Sequence, residues 1–160
     1  MAMKNPYNYS MPKSALKLKA NLNNNKIDNI KETQGDTTKN KMDQYKEQKI
    51  MTAKPEELTL MLYEGLIKFL KQAKLFIKQR NIEKTNNSII RSQDIINELN
   101  ITLNMDYEIS RNLRSIYVFM NERLIDANIN KDEKSVEEVL GLAQDLKDTW
   151  KEAMGLAYAK

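Results

Sequence analysis

From Pro55 to Arg80 the chain carries more apolar face than one helix–core contact can use. Leu58, Leu62, Gly65, Leu66, Phe69, Ala73, Phe76 and Ile77 recur at the 3.6-residue period and form one stripe. Leu60, Tyr63, Ile67 and Leu70 form a second stripe beside it. At about 100° per residue the two together span roughly 220° of arc, where a single core face needs about 100°. A helix of that kind is buried on two sides. Either its own chain covers the second side, or a partner does.

Composition removes most alternatives to a packing or binding role. The chain is 160 residues long, which suits one domain with a core that needs no staples. It has no cysteine and no histidine. That excludes disulfides and thiol chemistry, the usual general base and the commonest transition-metal ligand. No D-x-D-x-D-G calcium loop, Gly-rich phosphate loop or G-x-S-x-G elbow occurs. The acid pairs Glu56/Glu57, Asp132/Glu133 and Glu137/Glu138 fall at expected helix starts, where the helix dipole favours negative charge. No nucleophile, base and orienter occur as a set, so no catalytic residue, metal or cofactor is expected. No apolar run of about 18 residues is present and the N-terminus lacks an apolar h-region, so a cytosolic protein without membrane insertion is expected.

Charge divides the chain. Residues 1–41 hold eight lysines against three acids, a net +5, which leaves −1 for residues 42–160. The leader is rich in Asn, Lys, Ser and Thr and poor in large apolar residues, so residues 1–41 are expected to be disordered. Its basic composition could also touch anionic surfaces or nucleic acid. In the body, Arg111, Arg114 and Arg123 are interleaved with Glu108, Glu122 and Asp126, which reads as a solvated face rather than a nucleic-acid interface.

The body, residues 42–160, reads as helices throughout. A short amphipathic piece over about 42–51 precedes the long helix, which Pro55 opens at a favourable first position. A third segment over about 82–103 sets Ile82, Ile89, Ile96, Leu99 and Leu103 toward the core. Asp106 is placed to cap a fourth over about 107–128, with Ile109, Leu113, Ile116, Tyr117, Met120, Leu124 and Ala127 as its stripe. Ser135 with Glu138 fits a capping box for the last helix, which buries Val136, Val139, Leu140, Ala143, Leu146, Trp150 and Met154. Four helices of about 20 residues with short links predict an all-α, antiparallel up-down four-helix bundle with a short extra N-terminal helix. Further apolar residues fall off the core stripes: Ile95 and Ile101, then Tyr107, Val118 and Ile125. Either a short helix or a twin subunit covers them, or they line a groove for a partner's amphipathic helix.

Residues 52–65, Thr-Ala-Lys-Pro-Glu-Glu-Leu-Thr-Leu-Met-Leu-Tyr-Glu-Gly, resemble the T-A-S-P-E-E-L-x-x-M-L-Y-D/E-G signature of the FliS family, flagellar export chaperones for flagellin. Gln93 to Leu99, Asn112-Leu113 with Ile116 to Met120, Ala127 to Ile129 and Leu146 to Ala153 continue the resemblance in order, over about residues 45–154. The resemblance implies a helical bundle that clamps the C-terminal segment of flagellin, prevents premature polymerisation and delivers it to the export apparatus. Leu60, Tyr63, Ile67, Ile95, Tyr107, Val118 and Ile125 are the groove candidates on that reading. The family's N-terminal tyrosine is thought to fill the empty groove. Tyr45 stands at the matching distance before Thr52, with Ile50 beside it, whereas Asn5-Pro6-Tyr7 resembles the family's N-P-Y start but lies over 30 residues upstream. Lys54 replaces the usual capping Ser, which leaves Thr52 as an early alternative cap, and the turn at Asn104 to Asp106 lacks the glycines often found there. A homodimeric adaptor bundle without flagellin, closing on its own second stripe, is the alternative reading.

Overall fold

A computed structural model describes residues 5–7 and 36–155, with side chains from residue 41 onward in the first helix. Among these residues the chain forms α1 (Asp36–Thr52), α2 (Pro55–Lys78), α3 (Ile82–Ile101), α4 (Glu108–Asn130) and α5 (Glu133–Ala153). The break between α1 and α2 follows from Pro55. It pushes the preceding residue out of the helical region, and Lys54 adopts φ −65°, ψ 155°. The Glu57 carboxylate then accepts from the Lys54 N–H at 3.1 Å. Thr52 does not cap α2 as expected, because its hydroxyl donates back to the Gln48 carbonyl at 2.8 Å.

Side-chain pairs fix the direction of each helix. Lys84 lies over the Phe76 ring and Arg91 over the Phe69 ring, so α2 and α3 run antiparallel. Asn86 pairs with Asn128, Asn97 with Asn121 and Asn100 with Arg114, so α3 and α4 do too. Lys78 pairs with Glu133, while Trp150 Nε1 donates to the Glu56 carbonyl at 2.9 Å at the other end, which sets α5 against α2. Arg123 closes the ring onto Glu138. Each of α2 to α5 therefore contacts two neighbours, in the expected bundle arrangement.

This ring answers who covers the wide face of α2. Its flanks are taken by α3 on one side and α5 on the other, so Leu58, Leu66 and Phe69 from one stripe and Tyr63, Ile67 and Leu70 from the other are all buried. The short N-terminal helix takes no part in that cover. It begins at Asp36, earlier than the periodicity indicates, and its side chains from Lys41 to Lys49 are all exposed. The domain boundary expected at 41/42 thus falls inside α1. Of the leader expected to be disordered, Asn5 to Tyr7 pack on the bundle, and the rest before Asp36 lies outside the described residues.

Several local expectations need correction. Asp132, not Ser135, caps α5: its carboxylate accepts from Lys134 N–H at 3.0 Å and from the Ser135 hydroxyl at 2.8 Å. Asp106 does not cap α4, whose first flanking residue is Tyr107. Instead the Asp106 N–H donates to Asn104 Oδ1. That turn needs no glycine. Among the described residues only Arg80, Lys131 and Gly155 take positive φ. Ile82 and Ile109, assigned to the core by period, are exposed because each lies in the first turn of its helix, past the end of the packed layer.

Candidate partner-binding site

Two features stand out against the closed core. The first is a pocket at the end of the bundle where α2 starts and α5 ends. The Asn104 N–H donates to the Pro6 carbonyl at 2.7 Å, and Tyr7 forms an isolated antiparallel bridge with Leu103. The N-terminal segment is thus laid along the α3–α4 connection. Asn5 Oδ1 accepts from the Tyr7 N–H at 2.9 Å, which holds the Pro6 kink closed. The Tyr7 ring enters the bundle, 4% exposed, and meets Trp150 edge to face with centroids 5.2 Å apart. Its hydroxyl bonds to those of Tyr63 at 2.8 Å and of Tyr117, and these two bond each other at 2.6 Å. Three hydroxyls in a ring can each donate one bond and accept one, so all are satisfied without water. Burial pushes the Tyr63 and Tyr117 hydroxyls above the ordinary tyrosine range, and for Tyr117 its two tyrosine neighbours add to the effect.

The second feature is the outer seam between α3 and α4. On α4, Arg114, Val118, Asn121, Ile125 and Asn128 follow at spacings of four and three, which places them on one face. On α3, Asn86, Ile90, Asn97 and Ile101 follow at spacings of four, seven and four, which also keeps them on one face. Amides tie the two faces together: Asn121 Nδ2 donates to Asn97 Oδ1 at 2.8 Å and Asn128 Nδ2 to Asn86 Oδ1 at 2.7 Å. Between and beside these amides, Ile90, Ile101, Val118 and Ile125 stay exposed, and Ile129 extends the line. Asn121 Oδ1 is buried with no donor among the described residues.

The expected groove residues therefore separate. Tyr63, Ile67 and Ile95 lie in the core, and Leu60 packs partly buried against it. Tyr107 is half-buried, while Val118 and Ile125 are on the outer seam. Of the candidate plugs, Tyr45 is 67% exposed on α1 and Ile50 half-buried, whereas Tyr7 fills the pocket. Sequence reasoning missed Trp150 and Tyr117 as partners of Tyr7, because their spacing marks them only as core. Asn86 and Asn97 are eleven residues apart and Asn121 and Asn128 seven, so each pair shares a helix face, a regularity the sequence analysis did not single out.

Comparison with known proteins agrees with this architecture. The family model described as flagellar protein FliS matches residues 38–157. A flagellar secretion chaperone FliS of Bacillus subtilis (strain 168) is 42% identical over 110 residues, covering 69% of this chain and 83% of the relative. Its counterpart from Escherichia coli (strain K12) is 33% identical over 111 residues, covering 68% and 82%. The crystal structure of a bacterial flagellar chaperone shares the fold at a TM-score of 0.61 and 19% identity, covering 73% of this chain and 99% of that one. With a family match across three quarters of its length and a closed helical ring of the same fold, this chain belongs to the FliS family of flagellar proteins.

Proposed function

We propose that this flagellar secretion chaperone holds the C-terminal helical segment of flagellin on the α3–α4 seam, keeps it from polymerising in the cytosol and passes it to the export apparatus. The observation that carries the reading is the row of aliphatic residues left outside a core already complete without them. An amphipathic helix presents anchors on one face at three-and-four spacing, which matches an exposed row such as Ile90 and Ile101, eleven residues apart on α3, and Val118 and Ile125, seven apart on α4. The amides between them supply polar partners that an apolar core would not contain. Coupled ordering of the bound segment offsets part of the contact energy, which keeps release accessible. No described side chain takes part in a reaction on this reading.

Tyr7 is the plug on this reading rather than Tyr45 or Ile50. Its ring occupies a pocket at the head of the same seam, next to Leu103 and Asn104. Calorimetry with a flagellin C-terminal peptide tests the site. Val118→Asp with Ile125→Asp should weaken binding by at least tenfold, about 1.4 kcal/mol, with helicity unchanged. Unchanged affinity would remove the seam from consideration. The alternative, a homodimer closing on the second stripe of α2, loses that surface because Tyr63, Ile67 and Leu70 are buried in the bundle. A homodimer would have to close on the aliphatic row instead, which predicts a sedimentation coefficient that rises with concentration and falls back in that double variant.

A further inference from the structure

Along the α3–α4 seam one device occurs twice and is complete only once. Asn128 Nδ2 donates to Asn86 Oδ1 at 2.7 Å, and Lys131 Nζ, three residues on, donates to Asn128 Oδ1 at 2.5 Å. Both ends of the Asn128 amide are thus engaged. Asn121, seven residues earlier on the same face, repeats the first bond, from Nδ2 to Asn97 Oδ1 at 2.8 Å. The residue three further on is here Leu124, which is buried in the core and has no donor to give. Asn121 Oδ1 therefore stays buried without a donor among the described residues. The charged neighbours on α4 do not supply one. Arg114, two turns earlier in the same row, donates to Asn100 Oδ1, and an ionised Glu122 only accepts.

The gap lies in the middle of the exposed aliphatic row. Val118 precedes Asn121 by three residues and Ile125 follows it by four, so both stand beside it, and both are exposed. The bundle gains nothing from the vacancy, because a buried acceptor without its bond costs free energy that a leucine there would not. We propose that Asn121 is the residue by which the seam selects its partner. The docked helix supplies, from a nitrogen donor set among its aliphatic anchors, the bond that Lys131 supplies to Asn128. This rests on the seam being the flagellin site. The donor is a side-chain amide or an ammonium group. An aliphatic residue or a carboxylate at that position is selected against, since each leaves the oxygen unpaired and the carboxylate also gives up its own water. Val118 and Ile125, being exposed, change rotamer readily, which lets a partner side chain reach the covered oxygen.

Calorimetry of the full chain with a flagellin C-terminal peptide tests this. Asn121→Leu should lower affinity about tenfold although it adds apolar surface, while denaturant unfolding shows it no less stable than wild type. Asn121→Asp keeps an acceptor for the partner while Asn97 turns to donate to the second oxygen, and should lose no more than about twofold. Replacing each Asn, Gln, Lys and Arg of the peptide by alanine in turn should find one position that costs about tenfold against wild type and less than about twofold against Asn121→Leu. Raised salt weakens that coupling for an ammonium donor and leaves it unchanged for an amide. Three results would overturn the proposal: Asn121→Leu binding as well as wild type or better, Asn121→Asp falling as far as Asn121→Leu, or no peptide donor coupled to Asn121. If Val118→Asp with Ile125→Asp leaves binding intact, the seam itself is wrong and this inference falls with it. If that double variant weakens binding and the Asn121 variants do not, only the role of Asn121 falls.

Discussion

Removing one oxygen from Tyr7 isolates the polar part of its docking. In Tyr7→Phe the ring keeps its place against Trp150, but the cycle of three hydroxyls loses a member. Tyr63 and Tyr117 can still share one bond, which leaves one buried O–H without an acceptor. An orphaned buried hydroxyl costs about 1–3 kcal/mol, so docking of residues 5–7 should weaken roughly 5- to 150-fold. Tyr7→Ala also loses the ring, at about 3–5 kcal/mol, and should leave the segment undocked. If the docked segment competes with a flagellin peptide, peptide affinity rises by the factor that docking loses, until docking no longer competes. Calorimetry gives that affinity, and Trp150, the sole tryptophan, reports the ring contact by fluorescence. The expected order of peptide affinity is Tyr7→Ala above Tyr7→Phe above wild type, with an altered Trp150 spectrum in the alanine variant alone. Identical spectra and affinities in all three proteins would refute the reasoning, since the ring would then not occupy the pocket in solution.

Other expectations follow from burial and from local hydrogen bonds. Ile95→Ala should cost about 2–5 kcal/mol in denaturant unfolding, whereas Val118→Ala should stay within about 0.5 kcal/mol, because only the first residue lies in the core. Asn81→Ala removes the oxygen that accepts from the Lys84 N–H and should lose about 1 kcal/mol, while Thr52→Ala should be near neutral, since Thr52 caps nothing in α2. Alkali should destabilise the fold. The Tyr63 and Tyr117 hydroxyls titrate higher when folded than when unfolded, so above about pH 10 the unfolded chain holds fewer protons and stability falls as pH rises. Thermal unfolding should thus be flat in pH up to about 9 and decline beyond 10, and Tyr63→Phe should reduce the slope.

Part of this fold was legible residue by residue. The periodicity of α2 to α5 identifies helices and most of the core, because 3.6-residue spacing alone decides which side chains share a face. The absence of histidine and cysteine and the signature at Thr52 to Gly65 needed no coordinates either. Helix ends were read less well. Asp132 outcompeted Ser135 as a cap, and Thr52 turned back into its own helix, because several oxygens near a terminus can satisfy the same orphan donors.

The doubled apolar face of α2 marks the divide between sequence and tertiary structure. Sequence determined that its roughly 220° arc had to be covered. It could not assign the cover, because a helical wheel records direction but not how many neighbours stand around it. Packing between α3 and α5 buried Tyr63 and Ile67, and left Val118 and Ile125 outside, on a helix where the sequence had already set them off the core stripe. The choice between Tyr7 and Tyr45 was likewise beyond local reasoning. Both are tyrosines in polar surroundings, and what separates them is a contact across more than a hundred residues, from Tyr7 to Tyr117 and Trp150, that exists only once the bundle has closed.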